Sequence, residues 1–117
     1  MFRRFDKPLL IDMLQSPEKV LEFTAGMDEE AFCSKENVKT RDAVIYNIQI
    51  IGEAASHISE RLVQSNPEVE WGKIMRTRHR IVHDYDQIED RVIWRIRCEH
   101  LPLLVEQLKK ILAAGVE

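Results

Sequence analysis

The segment VIYNIQIIGEAASHISERL (residues 44–62) largely determines the fold that the sequence predicts. Its apolar residues recur at alternating steps of four and three: Val44, Ile48, Ile51, Ala55, Ile58 and Leu62. This spacing places them on one helical face and is typical of a long helix packed lengthwise against its neighbours. Gly52 lies beside this seam, where another backbone can approach closely because glycine has no side chain. We therefore predict a long helix from a cap at Asn37 to about residue 64, ended by Asn66 and Pro67.

Three further main helices are predicted on either side of this segment. The first covers residues 7–25, with Asp6 as its cap, Pro17 as a kink and Gly26 as its stop. One short helical turn is predicted within residues 28–33. The remaining helices cover residues 70–84 and 89–114, and Pro102 should bend the last one. The predicted fold is all-α, an antiparallel bundle of four to five helices with residues 1–117 in a single domain.

Composition narrows the possible compartments. No apolar run approaches the roughly 18 residues of a membrane span, and the start MFRRFDKP lacks the apolar core of a secretory signal. Cys33 and Cys98 are far apart and match no zinc spacing, so we expect two reduced thiols. These features together predict a cytoplasmic protein that has no membrane partner.

The formal net charge of −3 is unevenly distributed along the chain. Residues 73–97 hold seven basic and four acidic side chains, whereas residues 1–72 hold eight basic and thirteen acidic ones. The net-basic region is suited to attracting phosphate, although ordinary charged helix surface gives the same count.

The net-basic region contains RTRHRIVHDYDQI (residues 76–88), which brings together Arg78, His83 and Tyr85. On a helix, Arg78 and Tyr85 would share a face that also carries core-type residues, and His83 would lie about 140° round from Arg78. An arginine on such a face needs a partner or a function. Arginine stays charged and can grip phosphate, and histidine can transfer protons near neutral pH. The motif therefore favours phosphate chemistry.

The chain resembles HepT-type toxins, the minimal HEPN-domain ribonucleases of toxin–antitoxin pairs. Three segments carry the resemblance: RDAVIYNIQIIGEAA (residues 41–55), the Arg-x-x-x-x-His-x-Tyr motif, and IEDRVIW (residues 88–94). One departure is visible, because His79 follows the motif arginine where many members have asparagine. This difference bears on any catalytic detail that depends on that neighbouring polar group.

The resemblance implies a homodimer with the motif at a cleft between the two chains. It further implies metal-independent RNA cleavage by Arg78 and His83, with no cofactor. The implied partner is an MNT-type nucleotidyltransferase antitoxin that attaches AMP to Tyr85. One His83 per chain cannot be both base and acid in a concerted step, so a symmetric dimer would supply the second copy. His79 and Glu53 are possible auxiliary residues.

Two alternatives remain open at this stage. His79 and His83 have the four-residue spacing that zinc sites use on helices, but no third ligand has a convincing position, so we predict no metal. The carboxylates near Tyr85 could also suggest a metal site, but a solvated turn and charges at the start of the next helix explain them better. The alternative to a nuclease is a non-catalytic helical adaptor that binds a nucleotidyltransferase or its substrate, because the fold alone does not determine function.

Overall fold

The computed structural model describes residues 6–115, which form helices joined by short turns, without a β-strand in that range. The α-helices are α1 (Asp6–Phe23), α2 (Glu29–Phe32), α3 (Val38–Ser56), α4 (Glu60–Ser65), α5 (Trp71–Asp84), α6 (Asp90–Glu99) and α7 (Leu101–Ala113). Single 3-10 turns occupy Lys35–Asn37 and Tyr85–Gln87. Helix α1 packs against α3 and α7, and α5 packs against α3. The predicted all-helical bundle is confirmed.

Helix α3 lies at the centre because its apolar seam is buried. All six predicted seam residues are buried, including the two that lie beyond the end of α3. Phe32 and Trp94 pack nearby with ring centroids 5.3 Å apart. No helix in the described part of the chain is long and apolar enough to cross a membrane.

Helix α1 confirms the prediction that the chain continues through Pro17 as one helix. Gly26, with φ of +78°, follows the last turn and adopts a conformation that favours glycine. Asp6 was predicted to cap α1, but its carboxylate binds Ser59 instead. It accepts hydrogen bonds from the backbone N–H of Ser59 at 2.9 Å and from the Ser59 hydroxyl at 2.6 Å. Asp6 is fully buried and links the start of α1 to the start of α4.

The prediction of one continuous helix to about residue 64 was wrong. Helix α3 ends at Ser56, and Ser59 begins α4 by accepting a hydrogen bond from the N–H of Leu62. The break occurs because Ser59 is an N-cap whose backbone N–H is satisfied by Asp6 rather than by the preceding turn. Asn37 also makes no side-chain cap, and its amide instead donates to the carbonyl of Ala31 at 2.7 Å.

The last predicted helix, residues 89–114, is divided rather than bent. Helix α6 ends at Glu99 and α7 begins at Leu101, with His100 between them. Pro102 lies in the first turn of α7, where its missing N–H leaves no hydrogen bond unmade. In a continuous helix, Pro102 would remove the bond to the carbonyl of Cys98 and clash with it.

Candidate active site

Arg78 of α5 lies directly on Gly52 of α3. A Cβ placed on Gly52 would lie only 2.3 Å from the Cβ of Arg78. Carbon atoms in ordinary contact are about 3.5–4.0 Å apart, so only glycine permits this approach. A close approach at Gly52 was expected, and the atoms that approach are those of the motif arginine's side chain rather than of a backbone.

The Arg78 guanidinium pairs with Glu53, the residue that follows Gly52. Nη2 of Arg78 lies 2.5 Å from Oε2 of Glu53, and Nε2 of His57 lies 3.1 Å from the other Glu53 oxygen. All three side chains are at least one-third exposed. Glu53 therefore lies beside the motif. The Arg78 side chain packs on Gly52, and its guanidinium pairs with the Glu53 carboxylate at the surface.

His83 and His79 form a second feature of α5, one helical turn apart. Their ring centroids are 4.3 Å apart, and their planes are inclined by 51°. Both residues are exposed, so both imidazoles are open to solvent and to a ligand. His79, which stands where many HepT-type toxins have asparagine, therefore packs directly against the predicted catalytic histidine.

Tyr85 lies just after α5, in the 3-10 turn that leads towards α6. Its hydroxyl donates to Oδ1 of Asp42 at 3.1 Å and accepts from Nη1 of Arg41 at 3.2 Å. The Arg41 guanidinium carbon lies 5.4 Å from the ring centroid, within cation–π range. The motif tyrosine therefore contacts the start of α3.

Sequence reasoning assigned no role to Arg41 and Asp42, although both belong to the segment RDAVIYNIQIIGEAA. Arg41 also pairs through Nε with Asp90 at the start of α6. Burial by itself lowers the pKa of Arg41, but hydrogen bonds to Asp90 and Tyr85 outweigh it and raise the pKa above its ordinary value. The only sequence signal for this role was the adjacent Arg41 and Asp42 at the start of the central helix. Their shared partner, Tyr85, lies more than forty residues later in the chain.

Three exposed apolar side chains lie on the same helical faces as Arg78 and Glu53. Met75 and Val82 are one turn before and after Arg78, and Tyr46 is two turns before Glu53. Their exposed fractions are 38%, 51% and 63%, respectively. Large apolar groups exposed together on one face are typical of a protein or ligand contact surface.

The carboxylates that follow Tyr85 serve mainly as arginine partners. Asp90 pairs with Arg41, and Glu89 accepts from Nε of Arg91 at 2.6 Å. Across residues 6–115, no three His, Cys, Asp or Glu side chains group in a way that could hold a metal ion.

Sequence comparisons give consistent matches along nearly the whole chain. The family model described as "Ribonuclease HepT-like" matches residues 13–111. A Thermococcus cleftensis protein named "Probable ribonuclease HepT" is 34% identical over 110 residues, covering 93% of this chain and 97% of the relative. A Methanocaldococcus jannaschii protein named as an RNase is 32% identical over 109 residues, covering 93% and 98%. No solved structure matches significantly.

Proposed function

This chain belongs to the HepT-like ribonuclease family, and on that premise we propose how it cleaves RNA and how it is controlled. Arg78 and His83 carry out the cleavage at a cleft between two copies of the chain, without a metal ion. The chain is the toxin of a toxin–antitoxin pair. Its partner, a nucleotidyltransferase antitoxin, silences it by attaching AMP to Tyr85. The observation that carries this proposal is the position of Arg78, packed on Gly52 with its guanidinium at an exposed, partly apolar surface.

Arg78 is suited to bind the phosphate that reacts. Glu53 engages one nitrogen of a guanidinium that has five N–H donors, so other donors can bind RNA. Charge builds on the phosphate oxygens as the 2′-hydroxyl attacks phosphorus, and a fixed cation stabilises that charge. Glu53 holds the guanidinium in one orientation before RNA binds, which makes it a positioning residue.

His83 acts as the proton carrier. Neutral His83 takes the proton from the 2′-hydroxyl, and a protonated histidine gives one to the departing 5′-oxygen. The second histidine is His83 of the partner chain, which the two-fold symmetry of a dimer brings to the same cleft. The exposed Tyr46, Met75 and Val82 supply the apolar surface through which two chains associate.

In vitro cleavage by the purified chain tests the nuclease proposal. RNA should be cut in the presence of a metal chelator, and His83→Ala should lower the rate by at least about 100-fold, the lower end for loss of a proton carrier. His100→Ala is the matched control, because it removes a histidine outside the motif and should cleave like wild type. Growth arrest on expression should follow the same pattern.

Three results would contradict parts of the proposal. Full activity in His83→Ala would remove His83 from the mechanism. Absence of cleavage by the folded wild-type chain would favour the adaptor. Metal-independent cleavage would be refuted if the chelator abolished activity and an added divalent cation restored it.

A further inference from the structure

The Tyr85 hydroxyl lies between a carboxylate and a guanidinium from the start of α3. We propose that Asp42 is the base that takes the proton of Tyr85 during AMP transfer, and that Arg41 binds the phosphate of the product. This inference rests on the proposed function in which Tyr85 is modified. In this reaction, this chain supplies the hydroxyl that accepts AMP and the base that deprotonates it. The nucleotidyltransferase binds ATP, the donor of AMP.

Asp42 has the geometry required of a base. A neutral phenol is a weak nucleophile, and a base must lie within hydrogen-bond reach of its proton. The hydroxyl already donates to Oδ1 of Asp42 at 3.1 Å. The Asp42 side chain is 52% exposed, so it can pass the proton on to water. Tyr85 itself is 43% exposed, which leaves its oxygen open to a donor nucleotide.

The transfer balances with these groups. The Tyr85 oxygen forms a bond to the α-phosphorus of ATP while its proton moves to the Asp42 carboxylate. The bond from the α-phosphorus to the oxygen that bridges to the β-phosphorus breaks, and pyrophosphate leaves. Any metal ions that assist the donor triphosphate are bound by the partner enzyme.

Arg41 is placed to receive the new negative charge. Its Nη1 contacts both the Tyr85 hydroxyl, at 3.2 Å, and Asp42, at 3.1 Å, while its Nε pairs with Asp90. The side chain is only 17% exposed, so its direction is fixed by these partners. After transfer, the guanidinium can keep its bond to Asp90 and turn its other nitrogens to the phosphodiester.

A purely structural role is the competing explanation. The same contacts tie the turn after α5 to α3, whether or not Tyr85 is ever modified. In that case, changes to Asp42 would lower stability rather than selectively slow the transfer.

The experiment measures the initial rate of AMP addition to the purified full chain by intact mass, with the partner nucleotidyltransferase, ATP and Mg²⁺. Asp42→Asn keeps an oxygen that accepts from Tyr85 but removes the base, so the rate should fall at least about 100-fold. Asp42→Glu should restore much of that rate. Asp86→Asn is the matched control, because it removes a charge next to Tyr85, and it should be modified like wild type.

Each outcome has a distinct meaning. Equal rates for wild type and Asp42→Asn would overturn the inference alone. A slow Asp42→Asn with a lowered unfolding temperature and no rescue by glutamate would also overturn it, in favour of a structural tether. A wild-type chain that is never modified would overturn both this inference and the proposed control through Tyr85.

Arg41 has a readout of its own. Attachment of AMP should raise the unfolding temperature of the wild-type chain, because a partly buried cation gains a phosphate partner. The same modification should raise it less in Arg41→Gln. An identical rise in both proteins would refute the phosphate contact.

Discussion

Replacing Gly52 by alanine should push α5 away from α3 and displace Arg78. The added Cβ would lie 2.3 Å from the Arg78 Cβ and 2.9 Å from its Cδ. Restoring ordinary carbon contacts of about 3.5 Å requires the helices to separate by roughly 1 Å. Overpacking of this kind costs about 1–3 kcal/mol, which the better helix propensity of alanine offsets by about 1 kcal/mol. We expect a net loss of up to about 2 kcal/mol in the free energy of unfolding.

The rate of RNA cleavage should fall by more than the loss of stability alone explains. A displacement of roughly 1 Å at a catalytic group can cost about 100-fold in rate, and the displaced group here is the arginine that we propose binds phosphate. Urea unfolding gives the stability change, and RNA cleavage well below the unfolding temperature gives the rate.

Gly72→Ala is the matched control for Gly52→Ala. Gly72 is also in a helix, but a Cβ there meets only the flexible end of Arg76, 3.1 Å away. That variant should be as stable as wild type or more so, and fully active. If Gly52→Ala behaved in the same way, the close approach would not position Arg78 and the reasoning would be refuted.

Three further predictions concern single side chains. Glu53→Gln should change the free energy of unfolding by less than about 1 kcal/mol, because the pair is exposed, but it should lower kcat for RNA cleavage, because the carboxylate that orients the Arg78 guanidinium is lost; an unchanged kcat would exclude that positioning role. Ser59→Ala should cost about 1–3 kcal/mol in urea unfolding, because the α4 cap is lost and buried Asp6 loses one of its two bonds; a neutral result would contradict this. Burial, then the charges of Asp90 and Glu29, raise the pKa of Cys33, so Asp90→Asn should lower that pKa and speed alkylation at mildly alkaline pH; a slower reaction would contradict it.

The sequence predicted features whose causes lie within one helix. The apolar spacing on both sides of Gly52 gave the buried seam, and the glycine itself marked the close approach. The stop at Asn66 was also correct, because α4 ends at Ser65. Such signals depend on neighbours three or four residues away, which a single sequence displays directly.

The features that sequence reasoning missed depend on distant partners. Ser59 breaks the long helix because its backbone N–H and its hydroxyl both donate hydrogen bonds to Asp6, which lies 53 residues earlier. Arg41 and Asp42 meet Tyr85 only because the turn after α5 returns to the start of α3. The catalytic roles of Arg78 and His83, the single domain and the dimer remain predictions.

Mixing wild-type and His83→Ala chains tests the shared cleft most directly. The two proteins are combined in equal amounts, allowed to exchange subunits, and assayed for RNA cleavage. If each cleft needs two His83 side chains, activity should fall to about one quarter of that of wild type alone, because only one dimer in four keeps both. Activity of about one half, with His83→Ala alone inactive, would mean that each chain cleaves independently and would contradict the account.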